Sequence, residues 1–186
     1  NVNGTLFFFF YDSVNGGELW KSDGTVAGTV LVKDISPGIV ASGLNNLTNV
    51  NGTLFFRAFV DVVSGGELWR SDGTTVGTVL VKDIFPGSGS SNPNSLTNVN
   101  GTLFFAATDG TANTELWKSD GTTLGTVLVK DINPGGRSSG PVFLTSVNGT
   151  LFFRATSLVS GTELWASGLQ NSLLANDNDP DSPTLT

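Results

Sequence analysis

The chain has 186 residues, a composition that is 38% hydrophobic and only 13% charged, a formal charge of −7, and no Cys, His or Met. Without those residue types there is no disulfide, no thiol nucleophile, no His-based triad, and no thiolate or imidazole to hold zinc or haem. Its nine basic residues are scattered singly, so no basic face answers to nucleic-acid phosphates, and the longest apolar run, residues 6–11, falls far short of a membrane span.

Asn-Gly-Thr-Leu-Phe-Phe begins at Asn3, Asn51, Asn100 and Asn148, and Glu-Leu-Trp begins at Glu18, Glu67, Glu115 and Glu163, with successive copies 48 or 49 residues apart. A period of that size belongs to a repeat architecture. The units run near 1–45, 46–94, 95–143 and 144–168. The chain starts in the middle of a unit and so reads as a segment of something longer.

Each unit divides into four strand-forming stretches separated by turn signals. The first, at 47–50, 96–99 and 144–147, runs into Asn-Gly, the dipeptide of a type I′ hairpin because both central residues need φ > 0. Asn-Gly-Thr also fits a glycosylation acceptor, but the turn accounts for all four copies. The second stretch, Thr-Leu-Phe-Phe, has no polar alternation, which predicts burial on both faces. The third is Glu-Leu-Trp, closed by Asp-Gly at Asp23, Asp72 and Asp120. The fourth, Gly-Thr-Val-Leu-Val-Lys-Asp-Ile, starts at 28, 77 and 125 and ends on Pro-Gly, a type II turn pair.

Four antiparallel strands per unit, with the inner ones apolar on both faces, fit an all-β, propeller-like fold in which each unit is one blade. The order of stretches is closest to a WD40 blade, with a β-solenoid or stacked sandwich as the competing architecture. The first unit lacks its initial strand apart from Val2, and the last lacks its fourth. Two arrangements stay open: a small closed ring, or part of a larger propeller whose open edges would favour self-association.

The repeated columns invite functional readings that their regularity weakens. Trp20, Trp69, Trp117 and Trp165 would serve as sugar-stacking platforms, or as wedges packed between blades. The glutamates would supply the paired acids of a glycoside hydrolase, yet a catalytic pair needs unlike environments, whereas repeated positions have equal ones. A hydrogen-bonded or Lys-paired structural role is the expectation. Asp34, Asp83 and Asp131 are expected to pair with Lys33, Lys82 and Lys130 or with backbone amides. The acidic segment 169–186 reads as a linker into a further domain. Its Asn176, Asp177, Asp179 and Asp181 form an oxygen-rich cluster suited to Ca2+, and a solvated acidic linker is the competing reading.

The stretches that differ between units are 11–17, 60–66, 108–114 and 158–162, together with 36–46, 85–94 and 133–143. In a WD40-like blade both sets lie on one face, where binding residues gather on a rigid scaffold. The partner face is therefore expected at Tyr11, Asp12, Asp61, Asp109, Asn113 and Arg137.

Glu-Leu-Trp-Lys-Ser-Asp-Gly-Thr followed by Gly-Thr-Val-Leu-Val-Lys-Asp-Ile-x-Pro-Gly resembles the ELWxxDGT repeat family of large secreted bacterial proteins, over residues 1 to about 167. The fourth unit departs after Trp165, where Ala166-Ser167-Gly168 stands. The tail from Leu173 is similar to the opening of bacterial cadherin-like tandem domains, with Ser182-Pro183 where Gly-Asp is usual. Together these resemblances imply a multidomain extracellular or cell-surface protein. The expected function is a non-enzymatic adhesion or structural module meeting a protein or glycan at a surface or matrix. A lectin-like propeller is second and a glycan-active hydrolase a distant third.

Overall fold

The computed structural model describes residues 1–60, 65–111 and 113–167. Among them are fourteen strands and no helix. The strands form four antiparallel sheets, one per sequence unit and each a simple meander. The first holds β1 (Leu6–Asp12), β2 (Gly16–Ser22) and β3 (Val30–Lys33). The second holds β4 (Asn45–Val50), β5 (Thr53–Ala58), β6 (Glu67–Ser71) and β7 (Val79–Lys82). The third repeats this with β8 (Asn94–Val99), β9 (Thr102–Thr108), β10 (Thr114–Ser119) and β11 (Val127–Lys130). The fourth holds β12 (Val142–Val147), β13 (Thr150–Ser157) and β14 (Gly161–Ala166). Val2 contributes only an isolated bridge to Thr5 where the first sheet would have an initial strand.

The turns form as their residues dictate. Asn51 and Gly52 take φ of 50° and 85°, and the other three Asn-Gly pairs take matching values, the left-handed pair of a type I′ turn. At the Asp-Gly-Thr turn, Asp72 Oδ1 accepts from the Thr74 amide at 2.8 Å and the Thr74 hydroxyl at 2.7 Å. That hydroxyl in turn accepts from the Gly77 amide at 2.9 Å. A Cβ on Gly77 would lie 2.0 Å from Asp72 Oδ1, so the glycine is what lets the carboxylate close the turn. The same bonds recur around Asp23 and Asp120.

Three apolar cores sit between sheets. Leu54, Phe56, Ala58 and Trp69 of the second sheet pack on Leu19, Val32 and Ile35 of the first. Leu103, Phe105, Ala107 and Trp117 of the third pack on Phe55, Leu68, Val81 and Ile84 of the second. Leu151, Phe153, Ala155 and Trp165 of the fourth pack on Val99, Leu116 and Ile132 of the third. The Thr-Leu-Phe-Phe strands of the second and third sheets thus send alternate residues to opposite neighbours, which is why the stretch carries no polar alternation. The first sheet is the exception to the expected two-sided burial. Its Leu6 and Phe10, which share one face of β1, are exposed, because a neighbouring sheet covers only the opposite face.

Polar bonds reinforce these junctions. Lys33 Nζ donates to Thr78 O at 2.8 Å, and Lys82 Nζ to Thr126 O at 2.8 Å. In return the Thr75 hydroxyl donates to Val32 O and the Thr123 hydroxyl to Val81 O, each at 2.8 Å. Of the two roles expected for Asp34, Asp83 and Asp131, this corrects the Lys pairing: Lys33 and Lys82 reach across to carbonyls of the next sheet, Lys130 Nζ lies 5.3 Å from the Trp165 ring centroid, and Asp34 accepts from the Gly38 backbone amide at 3.5 Å. An ammonium on a flexible stem carries three donors, and the Lys33 ammonium gives two of them to the carbonyls of Thr75 and Thr78 in the next sheet's turn.

Sheet-to-sheet packing runs β1 on β4, β4 on β8 and β8 on β12. Among the described residues it does not return from the fourth sheet to the first, so the four sheets form no closed ring.

Candidate interaction face

The two ends of the sheets are built differently. At one end the Asn-Gly turns of successive units stack, with Asn49 Nδ2 donating to Asn1 O at 3.1 Å and Asn98 Nδ2 to Asn49 O at 3.3 Å. The Asp-Gly-Thr turns lie at the same ends of the strands. At the other end the segments joining the second strand to the third meet the segments joining one sheet to the next.

The glutamate column holds this second end together. Glu67 is buried at the start of β6. It accepts from the Ile84 amide at 2.9 Å, the Ser91 amide at 2.8 Å and the Ser91 hydroxyl. Glu115 does the same with the Ile132 amide at 3.0 Å, the Ser139 amide at 2.7 Å and the Ser139 hydroxyl. Glu18 takes the Ile35 amide at 2.9 Å, the Ser42 amide at 3.1 Å and the Ser36 amide at 3.3 Å. Each carboxylate therefore clamps the root and the far side of one inter-sheet loop to its own sheet. Burial pushes all three carboxyls above the ordinary glutamate value, and the hydrogen bonds oppose that rise. Of the two structural roles expected for this column, the hydrogen-bonded one is present.

The serines are what sequence reasoning missed. Ser42, Ser91 and Ser139 each stand 24 residues after their glutamate, inside stretches that otherwise differ from unit to unit. The fixed offset was a usable signal. Backbone bonds complete the loop end, with Ser42 N donating to Gly17 O at 2.9 Å and Asn92 N to Gly66 O at 3.0 Å.

The candidate partner residues fall at this end. Tyr11 is exposed at the close of β1. Asp12, beside it, accepts from the Val14 amide at 2.7 Å, the Asn15 amide at 2.6 Å and the Asn15 side chain at 2.9 Å. The Asn15 side chain leads in holding its carboxyl below the ordinary aspartate value. Asp109 caps its own turn through the Thr111 amide at 2.8 Å and hydroxyl at 2.7 Å. Asn113, left-handed at φ 57°, donates through Nδ2 to Gly136 O, which brings it to the loop carrying exposed Arg137. Tyr11 and Arg137 present free ends to solvent, whereas Asp12 and Asp109 shape their loops. Asp61 lies outside the described residues, as do Asn176, Asp177, Asp179 and Asp181. Sequence reasoning also passed over Phe143, which is exposed at the start of β12 with the Arg154 guanidinium 5.2 Å from its ring centroid.

The other repeated columns are structural. Trp69, Trp117 and Trp165 are buried wedges in the three cores, while Trp20 meets Phe10 edge-on at 5.3 Å. Asp23, Asp72 and Asp120 close turns, and the neighbouring Thr hydroxyl leads in holding each carboxyl low. Among the described residues, no three acidic side chains converge on a common point. A cleft lined mainly by Leu116, Val129, Ile132, Phe153 and Trp165, with Lys130 and Ser167 beside them, carries no acid.

No family model matches the sequence, and no curated protein matches it. Among solved structures the chain is similar to a candidate exo-β-1,3-galactanase from Bifidobacterium bifidum S17, at 10% identity and a TM-score of 0.42. The match covers 88% of this chain and spans 63% of that one. A likeness so distant bears on neither fold nor activity.

Proposed function

We propose that the chain is a propeller-type scaffold serving recognition, a non-enzymatic adhesion or structural module of a larger extracellular or cell-surface protein. The partner is a protein or glycan of a surface or matrix. Consecutive meander sheets, each packed on the next through one face, support the propeller reading. The glutamate clamp carries the functional reading. The residues common to the units are consumed inside the scaffold, and three carboxylates anchor at one end the loops whose sequences change. Variable loops on fixed roots are the arrangement that recognition surfaces use.

A carbohydrate-binding role is the second reading, favoured by two exposed aromatic rings at the loop end, Tyr11 and Phe143. Aromatic faces suit sugar rings, and Arg154 beside Phe143 adds donors for hydroxyls. Hydrolysis has less support. Glu18, Glu67 and Glu115 are buried, alike in their surroundings, and already bonded to their own loops, whereas catalysis by a carboxylate pair needs access and unlike environments.

Binding of the purified chain to a glycan array and to intact bacterial and host cell surfaces separates the readings. Retention on cells that is lost in a Tyr11→Ala/Arg137→Ala variant, without glycan hits, is the expected result. Glycan hits abolished by Phe143→Ala would move the assignment to a lectin. Retention unchanged by all loop-end substitutions would exclude this face as the binding surface.

A further inference from the structure

We infer that the inter-sheet loop of the third unit holds one Ca2+ ion, ligated by the side-chain oxygens of Asp131 and Asn133 beside the buried Glu115 carboxylate. The site does not depend on what the loop end recognises. It makes the loop that carries Arg137 sensitive to metal.

This loop is tied to itself at its root. Glu115 accepts from the Ile132 amide at 3.0 Å on one arm and from the Ser139 amide at 2.7 Å on the other. Asn133 Nδ2 donates across to Ser138 O at 3.2 Å. These three bonds draw residues 131–133 and 138–139 together around one carboxylate that has no exposed surface.

Within that root the acceptors outnumber the donors. Asn133 is 5% exposed, and its Oδ1 is shut off from solvent with no hydrogen-bond partner. Its Nδ2 is turned to Ser138, and the trigonal amide therefore points Oδ1 away from that carbonyl into the interior. Asp131 Oδ1 is in the same condition. The Asp131 side chain also lies close enough to Glu115 for its charge to add to the burial that raises the Glu115 carboxyl above its ordinary value. Two carboxylates and a buried amide oxygen thus meet at one loop root, while the Ile132 and Ser139 donors are already taken by Glu115. Buried acceptors without donors are costly, and buried charges without a partner more so. A bridging water would answer the oxygens and leave the charge, whereas a cation answers both.

The oxygens present select the ion. Carboxylate and amide oxygens are hard donors, suited to Ca2+ or Mg2+ rather than to the later transition metals. Mg2+ demands near-ideal octahedral geometry and gives up water reluctantly, whereas Ca2+ accepts an irregular set completed by backbone carbonyls and water. Two side-chain oxygens on a loop fit the irregular case.

The other units mark what is particular to the third. Ser36 and Phe85 stand where Asn133 does. The first unit keeps the orphaned aspartate oxygen, Asp34 Oδ1, without the amide oxygen, and the second has a phenyl ring in its place. Of the three, the third unit alone pairs the two.

Calorimetric titration of the 186-residue chain with CaCl2 tests the site. Asp177, Asp179 and Asp181 form a second acidic stretch in the sequence, so the titration is repeated on the Asp177→Ala/Asp179→Ala/Asp181→Ala variant. Both proteins should bind an ion with a Kd of about 0.1–1 mM, the range of extracellular Ca2+ modules. Asn133→Ser, which installs the first unit's residue, and Asp131→Asn, nearly unchanged in shape, should each weaken that binding roughly tenfold or more. Without calcium both should keep the wild-type circular dichroism and unfolding midpoint. In the wild-type chain Ca2+ should slow hydrogen exchange at the Ile132 and Ser139 amides and leave Ile35 and Ser42 unchanged. If either variant fails to fold, this exchange pattern decides alone, and its absence overturns the site. No binding up to about 10 mM Ca2+, binding abolished by the tail substitutions, or binding unchanged in Asn133→Ser would each overturn it as well. Mg2+ that binds as tightly as Ca2+ would overturn the choice of ion.

Discussion

The turn end and the loop end of these sheets are made from the same repeated unit and solve opposite problems. At the turn end, Asn-Gly and Asp-Gly-Thr close tightly on their own atoms, and the bonds left over reach the next sheet: Lys33 and Lys82 to carbonyls, Thr75 and Thr123 back again. At the loop end the longer segments cannot satisfy themselves. A buried carboxylate from the sheet supplies acceptors for them. The first end buys rigidity with short-range geometry, while the second tolerates sequence change because its anchor is one side chain at the root of each loop.

The comparison breaks most completely at the floor that both ends share. Phe56→Ala removes a fully buried ring from the junction between the first two sheets and should cost about 3–5 kcal/mol, visible as a large fall in the denaturant midpoint. Glu67→Ala tests the loop end alone. It leaves the Ile84 and Ser91 amides without their acceptor and should cost roughly 3 kcal/mol. Hydrogen exchange should accelerate at those two amides and leave the Asp72 turn protected.

A pH titration sharpens the contrast because the two ends carry carboxyls shifted in opposite directions. Glu18, Glu67 and Glu115 are raised above 4.5, chiefly by burial, so they bind protons more readily folded than unfolded. Their contribution is full below that value and is lost as pH rises through the folded pKa. Asp23, Asp72 and Asp120 are lowered from 3.8, and their contribution is lost as pH falls through the folded values. The unfolding midpoint should therefore peak in the mildly acid range and decline toward neutrality. Glu67→Gln should flatten that decline, and Asp72→Asn should soften the fall on the acid side.

Two smaller effects complete the series. Thr75→Val cuts one turn-end link and should cost about 1 kcal/mol, measured by chemical denaturation. Arg137→Ala, on an exposed loop, should stay within about 0.5 kcal/mol of wild type. A larger loss would mean that the loop end is as tightly built as the turn end.

Much of this was legible in the sequence. Asn-Gly, Asp-Gly and Pro-Gly punctuate each unit, and the unbroken apolar run of Thr-Leu-Phe-Phe announces a strand covered on both faces, so the four sheets follow from local chemistry. What lay beyond reach was set by neighbours distant in sequence. Lys33 adjoins Asp34 in the chain, yet it bonds the next sheet, and only the packing of β3 beside the following turn decides that. Of the two readings open for the tryptophans, Trp69, Trp117 and Trp165 lie buried in the cores, while Trp20 and the exposed face of β1 differ because a neighbour is absent on one side. Within the candidate face, Arg137 was recognisable as a loop residue, whereas Tyr11, read as the start of a variable loop, lies in β1 paired with Gly17. The serine anchors were hidden because they sit in segments that otherwise vary, and Phe143 because it belongs to a strand.

The reciprocal link between Lys33 and the Thr75 turn has a consequence for how such a chain can change over time. The lysine lies on the fourth stretch of one unit and the threonine on the turn of the next, so each full unit carries both halves of a junction, one at either flank. A cassette of 48 or 49 residues can then be duplicated or lost as a block, and the new neighbours find matching donors and acceptors already in place.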